Sequence, residues 1–284
     1  MKKLLLSLSI AAMSISAAQA ETVYFQEDFE WLEPWCEVAG VHDFINASDE
    51  VKAESKNLTT AVDEVSAYDA LLSRGYTFVQ AKHHNDSKYA ARTLDKIMYL
   101  QKNYLKMGLT GYHAGIVLPA LKEIPADKQL KISFDWTPMR QGDPGAENRK
   151  YDPSELVVVI ANGDDERQVA VPAHTLAAGD EYAWMHADIS LDGQTVNENT
   201  KITIRQIDSQ WPYLDDQNTS KVCRWFIDNI KVYSEDASSI DEIGIDMDAP
   251  VEYYNMLGVR VENPGNGLYI VKQGNKTAKK FIVR

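Results

Sequence analysis

Apolar and polar positions alternate with a period of two along much of the chain beyond residue 93. Between residues 129 and 138, Leu130, Ile132, Phe134 and Trp136 alternate with Lys131, Ser133 and Asp135. That pattern predicts a strand with one buried face. Residues 156–160 are apolar at every position, which predicts a central strand, and Asn162-Gly163 ends it with turn chemistry. Residues 168–171 read as its hairpin partner. Further strands are predicted over residues 115–119, 182–191, 201–206 and 224–233. Periodicity leaves residues 94–105 ambiguous between helix and strand.

The rest of the chain is patterned differently. Residues 21–35 read as an extended opening strand followed by an aromatic-rich turn. Residues 41–65 are polar and acidic, as in a long loop or insertion. A single helix is predicted over 66–75, with Ser66 as N-cap, Tyr68, Leu71 and Leu72 on one face and Gly75 as the stop. Residues 236–250 form an acidic linker ending in Pro250. The last 34 residues hold three short strand patterns, 251–255, 268–273 and 280–283, between glycine-containing turns. So many strands and so little helix predict an all-β fold, an antiparallel β-sandwich of the jelly-roll kind. It carries a helical and loop insertion and a small C-terminal β tail. In such a closed arrangement the first and last strands lie side by side.

The N-terminus adds an address. Lys2 and Lys3 precede an apolar run over residues 4–15, and Ala18-Gln19-Ala20 supplies a cleavage site before Glu21. Residues 1–20 are therefore expected to be a signal peptide, with a sandwich domain over 21–235, the linker over 236–250 and the tail over 251–284. No later run is long and apolar enough to predict a membrane span in the mature chain. The formal net charge of -13 argues against nucleic acid as a partner, because phosphate neutralisation needs the opposite sign. Cys36 and Cys223 are the two cysteines. Export permits a disulfide between them, which would close a loop of roughly 190 residues and contribute up to about 5 kcal/mol. The alternative is two buried free thiols.

Two stretches resemble known families. In the tail, Tyr254-Asn255-x-x-Gly258-Val259-x-Val261, then Pro264-Gly265-Asn266-Gly267-Leu268-Tyr269-Ile270-Val271, then Lys279-Lys280-Phe281-Ile282-Val283 resemble, in order, the motifs of the C-terminal sorting domain of type IX (Por) secretion. That resemblance implies outer-membrane secretion machinery as a partner, and a secreted or cell-surface location in a Gram-negative bacterium. In the main domain, Phe25-Gln26-Glu27-Asp28-Phe29-Glu30 with Trp31 and Trp35 is similar to the opening of galactose-binding-like jelly rolls, which include carbohydrate-binding modules. Trp225-Phe226-Ile227-Asp228-Asn229-Ile230-Lys231-Val232 is similar to their closing strand.

That likeness implies a glycan or another surface ligand, and a structural calcium ion between the chain ends. The ligands expected for it are Asp28, Glu30 and Asp228. Calcium takes six to eight oxygens, and Asp228 sits inside an apolar strand where an unsatisfied carboxylate is costly. Backbone amides or Arg224 would satisfy it equally well. Sugar binding calls for aromatic rings that stack on pyranose faces, with carboxylates and amides for the hydroxyls. The loop holding Trp211, Tyr213, Asp215 and Gln217 offers both. Trp136 and Trp225 are expected in the core, while Tyr151, Asp152 and Trp184 are weaker candidates. His83-His84 reads as a solvated loop. No hydrolase, zinc-protease or P-loop motif occurs. The expected function is non-catalytic glycan binding. A surface protein with a protein partner, and a glycoside hydrolase built on the sandwich, are the alternatives.

Overall fold

The computed structural model describes residues 21–41, 43–45, 56–82, 92–122, 124, 129–141, 150–191, 196–211, 222–235, 250–273 and 276–282. The expected signal peptide, His83-His84 and most of the acidic linker lie outside the described residues. The chain divides into two compact units. Glu21–Glu235 is the larger, and the other takes in the described tail.

Strand β1 (Glu21–Glu27) opens the larger unit and runs through a 3-10 turn into helix α1 (Glu33–Ala39). The short strands β2 (Lys56–Asn57), β3 (Ala61–Val62) and β4 (Val65–Ser66) lead to helix α2 (Ala67–Ser73). Strands β5 (Thr77–Lys82), β6 (Tyr99–Gln101), β7 (Tyr104–Met107), β8 (Tyr112–Val117) and β9 (Leu130–Pro138) follow. The unit closes with β10 (Leu156–Asn162), β11 (Asp165–Ala170), β12 (Met185–Ser190), β13 (Lys201–Gln206) and β14 (Trp225–Glu235). One sheet has the order β12-β9-β14-β7-β6-β2, with β1 also paired to β14; the other has the order β11-β10-β13-β8-β5. Every pairing between these strands is antiparallel. One core takes Ile132, Phe134, Trp136, Ile227 and Val232 from the first sheet, and Ile116, Val158, Ile160, Ile202 and Ile204 from the second. The fold is the antiparallel sandwich expected from the alternation.

The opening and closing strands of the larger unit meet as the closed arrangement requires. Glu21 pairs with Glu235 and Glu27 with Ile230. The first part of β14 pairs instead with β7, Trp225 opposite Met107 and Ile227 opposite Leu105. Between these two partners the register on β9 shifts, from Asp228 to Lys231, and Asn229 takes a left-handed conformation with φ 49°. Such a bulge bends β14 where one neighbour gives way to the next.

Three local outcomes differ from the sequence pattern. The aromatic-rich turn contains helix α1, begun by Pro34 in its first turn, where a missing N–H costs nothing. The ambiguous stretch resolves into a 3-10 turn (Leu94–Lys96) followed by the β6–β7 hairpin, turned at Asn103 with φ 58°. Thr137, on the face of β9 expected to be solvated, is fully buried. A second aromatic cluster explains it: Phe226, the cross-strand neighbour of Thr137, packs there with Ile45, Tyr104, Phe44, Met139, Tyr182 and Trp184.

Cys36 and Cys223 do not form the expected disulfide; both are buried free thiols. Cys36 Sγ donates to the Gln101 carbonyl at 2.9 Å, and Gln101 pairs with Tyr104 at one end of β7. The Cys223 carbonyl lies beside Gly108, just past the other end of β7. Four residues of strand, roughly 13 Å, separate those ends, whereas a disulfide needs Cα atoms within about 7 Å. The adjacency of β1 and β14 holds, but α1 carries Cys36 to the wrong end of β7.

The tail is a four-stranded antiparallel sheet, built from β15 (Val251–Tyr254), β16 (Arg260–Val261), β17 (Gly267–Gln273) and β18 (Lys276–Ile282) in the order β16-β15-β17-β18. It contains one strand more than its sequence pattern predicts. Leu257, Val259 and Phe281 stay exposed.

Candidate functional site

The end of β1 builds an aromatic platform. Glu27 is buried, and its Oε1 accepts hydrogen bonds from the Phe29 backbone amide at 2.7 Å and the Trp31 indole Nε1 at 2.9 Å. Its Oε2 accepts from the Tyr76 hydroxyl at 2.8 Å. Burial pushes the Tyr76 phenol far above its ordinary pKa, and the Glu27 charge adds to the shift. Tyr76 therefore stays a donor. Phe29 takes a left-handed conformation (φ 52°) that turns the chain into the 3-10 turn holding Trp31.

Trp35 follows four residues later on α1, and the two indoles meet edge to face with centroids 6.0 Å apart. The Trp35 Nε1 donates to the Val65 carbonyl at 2.9 Å. Both indole N–H groups are thus spent on the protein, which fixes the rings while leaving both side chains half-exposed.

Two further elements complete a cleft of about 460 Å³ lined by Trp31, Trp35, Val62, Asp63, Val65, Ala70, Ser73 and Arg74. The β3–β4 hairpin supplies Asp63. Its two central residues, Asp63 and Glu64, both have positive φ, the geometry of a tight type I′ turn. Helix α2 supplies Ser73, and its C-cap supplies the exposed Arg74. Ser66 caps this helix as the sequence predicts, accepting from the Asp69 amide at 3.0 Å. The Arg74 guanidinium carbon lies 3.9 Å from the Trp31 ring centroid. Rings, one acid, one hydroxyl and one guanidinium converge on one hollow, the composition that binds amphipathic, hydroxyl-rich molecules.

Of the residues expected in a glycan loop, Trp211 is half-buried at the end of a 3-10 turn after β13. The Arg205 guanidinium lies 5.2 Å from its ring centroid and bonds Asp208 at 2.9 Å. That pairing holds the Asp208 carboxyl below its ordinary pKa, with help from Gln168. Tyr213, Asp215 and Gln217 lie outside the described residues. Trp136 and Trp225 are in the core as expected. Trp184 packs edge to face on Tyr104, and Tyr151 on Tyr182, so both are bound up in the outer aromatic cluster. Asp152 is fully buried and ion-paired with Arg224 at 2.8 Å.

The acids expected to hold calcium are close enough to feel one another. Burial, then the charges of Asp135, Asp28 and Glu30, push the Asp228 carboxyl up to about 7, against a hydrogen bond from the Asn229 amide. Yet their oxygens are engaged separately. Asp28 Oδ1 accepts from the Glu30 amide, Glu30 Oε2 from Asn103 Nδ2, and Asp228 Oδ1 from the Asn229 amide. Among the described residues no three acidic, histidine or cysteine side chains converge as ion ligands. The described side-chain oxygens do not form a calcium cage, and Asp228 takes its hydrogen bond from a backbone amide instead. Arg224, the other candidate partner, is taken by Asp152.

A second hollow, of about 500 Å³, is lined by Tyr68, Gln80, Arg92, Thr93, Leu94 and Asp95. Sequence reading missed both hollows. Trp31 and Trp35 are conspicuous in the sequence, but Asp63 and Arg74 join them only through the fold.

No family model matches the chain. No curated protein matches it. Several solved structures are similar at a distance. The CBM22-1–GH10 modules of Clostridium thermocellum xylanase 10B, complexed with xylohexaose, share 10% identity over 57% of this chain and 26% of theirs, with a TM-score of 0.30. The alignment thus spans about a quarter of that protein's length. The CBM22-2 xylan-binding domain of Paenibacillus barcinonensis Xyn10C shares 10% identity over 74% of this chain and 99% of its own, with a TM-score of 0.32. The C-terminal family 22 carbohydrate binding module of Clostridium thermocellum Xyn10B shares 8% over 66% and 96%, with a TM-score of 0.31. At scores this low the likeness assigns no ligand to this chain.

Proposed function

We propose that the protein is a non-catalytic glycan-binding β-sandwich, exported to the surface of a Gram-negative bacterium, and that its ligand docks in the Trp31–Trp35 cleft. One observation carries the reading: two half-exposed indoles, each tied through its N–H to a protein acceptor, line a hollow that also holds Asp63, Ser73 and Arg74. Ring faces suit the apolar face of a pyranose, and fixed rings lose little freedom on binding. The leader-like N-terminus and the sorting-like tail support export and display.

The test is a glycan array probed with the purified protein and with Trp35→Ala. Binding that falls at least tenfold in Trp35→Ala, while Trp211→Ala binds as the parent does, supports the cleft. Binding lost in Trp211→Ala alone places the site at the loop after β13. Absence of binding to any glycan ends the reading.

A second reading, a surface protein whose partner is another protein, draws on the tail, where Leu257 and Phe281 are exposed on a small sheet.

A further inference from the structure

We infer that the cleft selects saccharides bearing a carboxylate, with Arg74 as the residue that reads it; this rests on the glycan reading of the same cleft. Arg74 stands at the C-cap of α2 and is exposed, yet its guanidinium carbon lies 3.9 Å from the Trp31 ring centroid. Stacking on an indole orients the planar fork and lowers the entropy lost when it engages an acceptor.

Three other arginines of this acidic protein spend their forks on carboxylates: Arg205 on Asp208, Arg224 on Asp152 and Arg260 on Glu252. The backbone N–H of Arg74 closes the helix on the Leu71 carbonyl, but its guanidinium makes no hydrogen bond or ion pair to any described residue. Glu27, below the platform, is engaged by Phe29, Trp31 and Tyr76. Asp63 lines the same cleft from the hairpin without pairing to Arg74. The cleft therefore presents an oriented, unclaimed guanidinium beside an aromatic ring, with Asp63 and Ser73 left for hydroxyls. A carboxylate matches that fork in a bidentate pair, and a hexuronate carries one at the rim of a ring that can stack on Trp35.

The protein's net charge of -13 repels anions at long range. At 0.15 M salt that repulsion is screened beyond about 8 Å, so the short-range pair decides selectivity.

Titration calorimetry in 0.15 M salt compares cellotetraose with its C6-oxidised counterpart, the β-1,4-linked tetramer of glucuronate. The expected result is at least tenfold tighter binding of the glucuronate tetramer. Arg74→Gln, at an exposed site, is expected to equalise the two ligands without abolishing the neutral one, with its melting curve checked against the parent. Arg74→Lys, which keeps the charge but loses the fork, should retain part of the preference. Equal binding of both tetramers to the parent protein, or a preference that survives Arg74→Gln, overturns the inference while leaving the glycan reading in place. If neither tetramer binds, the inference falls; whether the glycan reading falls too is decided by the array.

Discussion

The Glu27 Oε1 lies 2.9 Å from the indole nitrogen of Trp31, and Glu27 is the last residue of β1, paired across to Ile230 of β14. The pairing of β1 with β14, which closes the sandwich, therefore also sets the position of the platform. Fold and candidate site share one buried carboxylate. Its three donors, the Phe29 amide, the Trp31 indole and the Tyr76 hydroxyl, would lose their acceptor together. Glu27→Ala is expected to cost about 3 kcal/mol, since buried donors left unsatisfied cost about 1–3 kcal/mol each and Trp31 can turn to water. Urea denaturation measures the loss. Ligand affinity should fall at least fivefold even at temperatures where the variant remains folded.

The thiols give a second expectation. Burial pushes the Cys36 thiol up, and burial with the charges of Asp152 and Glu155 pushes the Cys223 thiol up to about 12. Neither should react with a thiol reagent in the native protein, and both should react after unfolding. A reducing agent should leave the melting temperature unchanged. A Cys36–Cys223 link found by non-reducing peptide mapping would contradict this.

Asp228 bears on the ion. Its folded pKa of about 7 stands above the ordinary carboxyl value of 3.8. The folded state therefore binds the proton more tightly. The stability linked to that proton is complete below pH 3.8 and is lost as pH rises to 7 and beyond. Asp228→Asn keeps the acceptor for the Asn229 amide and removes the charge, so it should raise the melting temperature at pH 8 and change little near pH 4. Calcium and chelator should have no effect on either protein. A calcium-dependent rise that disappears in Asp228→Asn would instead establish the ion.

Lys106 shows the opposite sign. It is 5% exposed, with its amine 4.3 Å from the Tyr99 ring centroid. Burial, reinforced by the Arg224 charge, pushes it down to about 7 from 10.5. Its linked stability is present above pH 10.5 and is lost as pH falls to 7. Lys106→Met should stabilise the protein at pH 7 by an amount on the order of a few kcal/mol, with the gain shrinking toward pH 10. Melting curves across that range check it.

Much of the sandwich was legible because strands write themselves with a period of two. The alternation over 201–206 coincides with the observed strand, and the Ser66 cap marks the start of helix α2. What escaped depends on exceptions to turn chemistry. The hairpins at Asp63-Glu64 and Asn103 use left-handed residues other than glycine, so no glycine marks them. Pro34 was the available signal for α1 and reads equally as a turn. The cleft escaped because its walls come from three segments, around residues 31–35, 62–65 and 70–74, that only tertiary packing brings together. The expected disulfide failed for a related reason: neighbouring strands do not make neighbours of residues that leave those strands.

The six tryptophan indoles offer the most direct test of the platform. A ¹H–¹⁵N correlation spectrum resolves their N–H groups, and substitution of each tryptophan assigns them. During titration with an array-selected oligosaccharide, the account expects the Trp31 and Trp35 resonances to shift with saturation. Those of core Trp136 and Trp225 should hold still. If the Trp31 and Trp35 signals stay fixed while that of Trp211 moves, or if none moves, the glycan-binding cleft is contradicted.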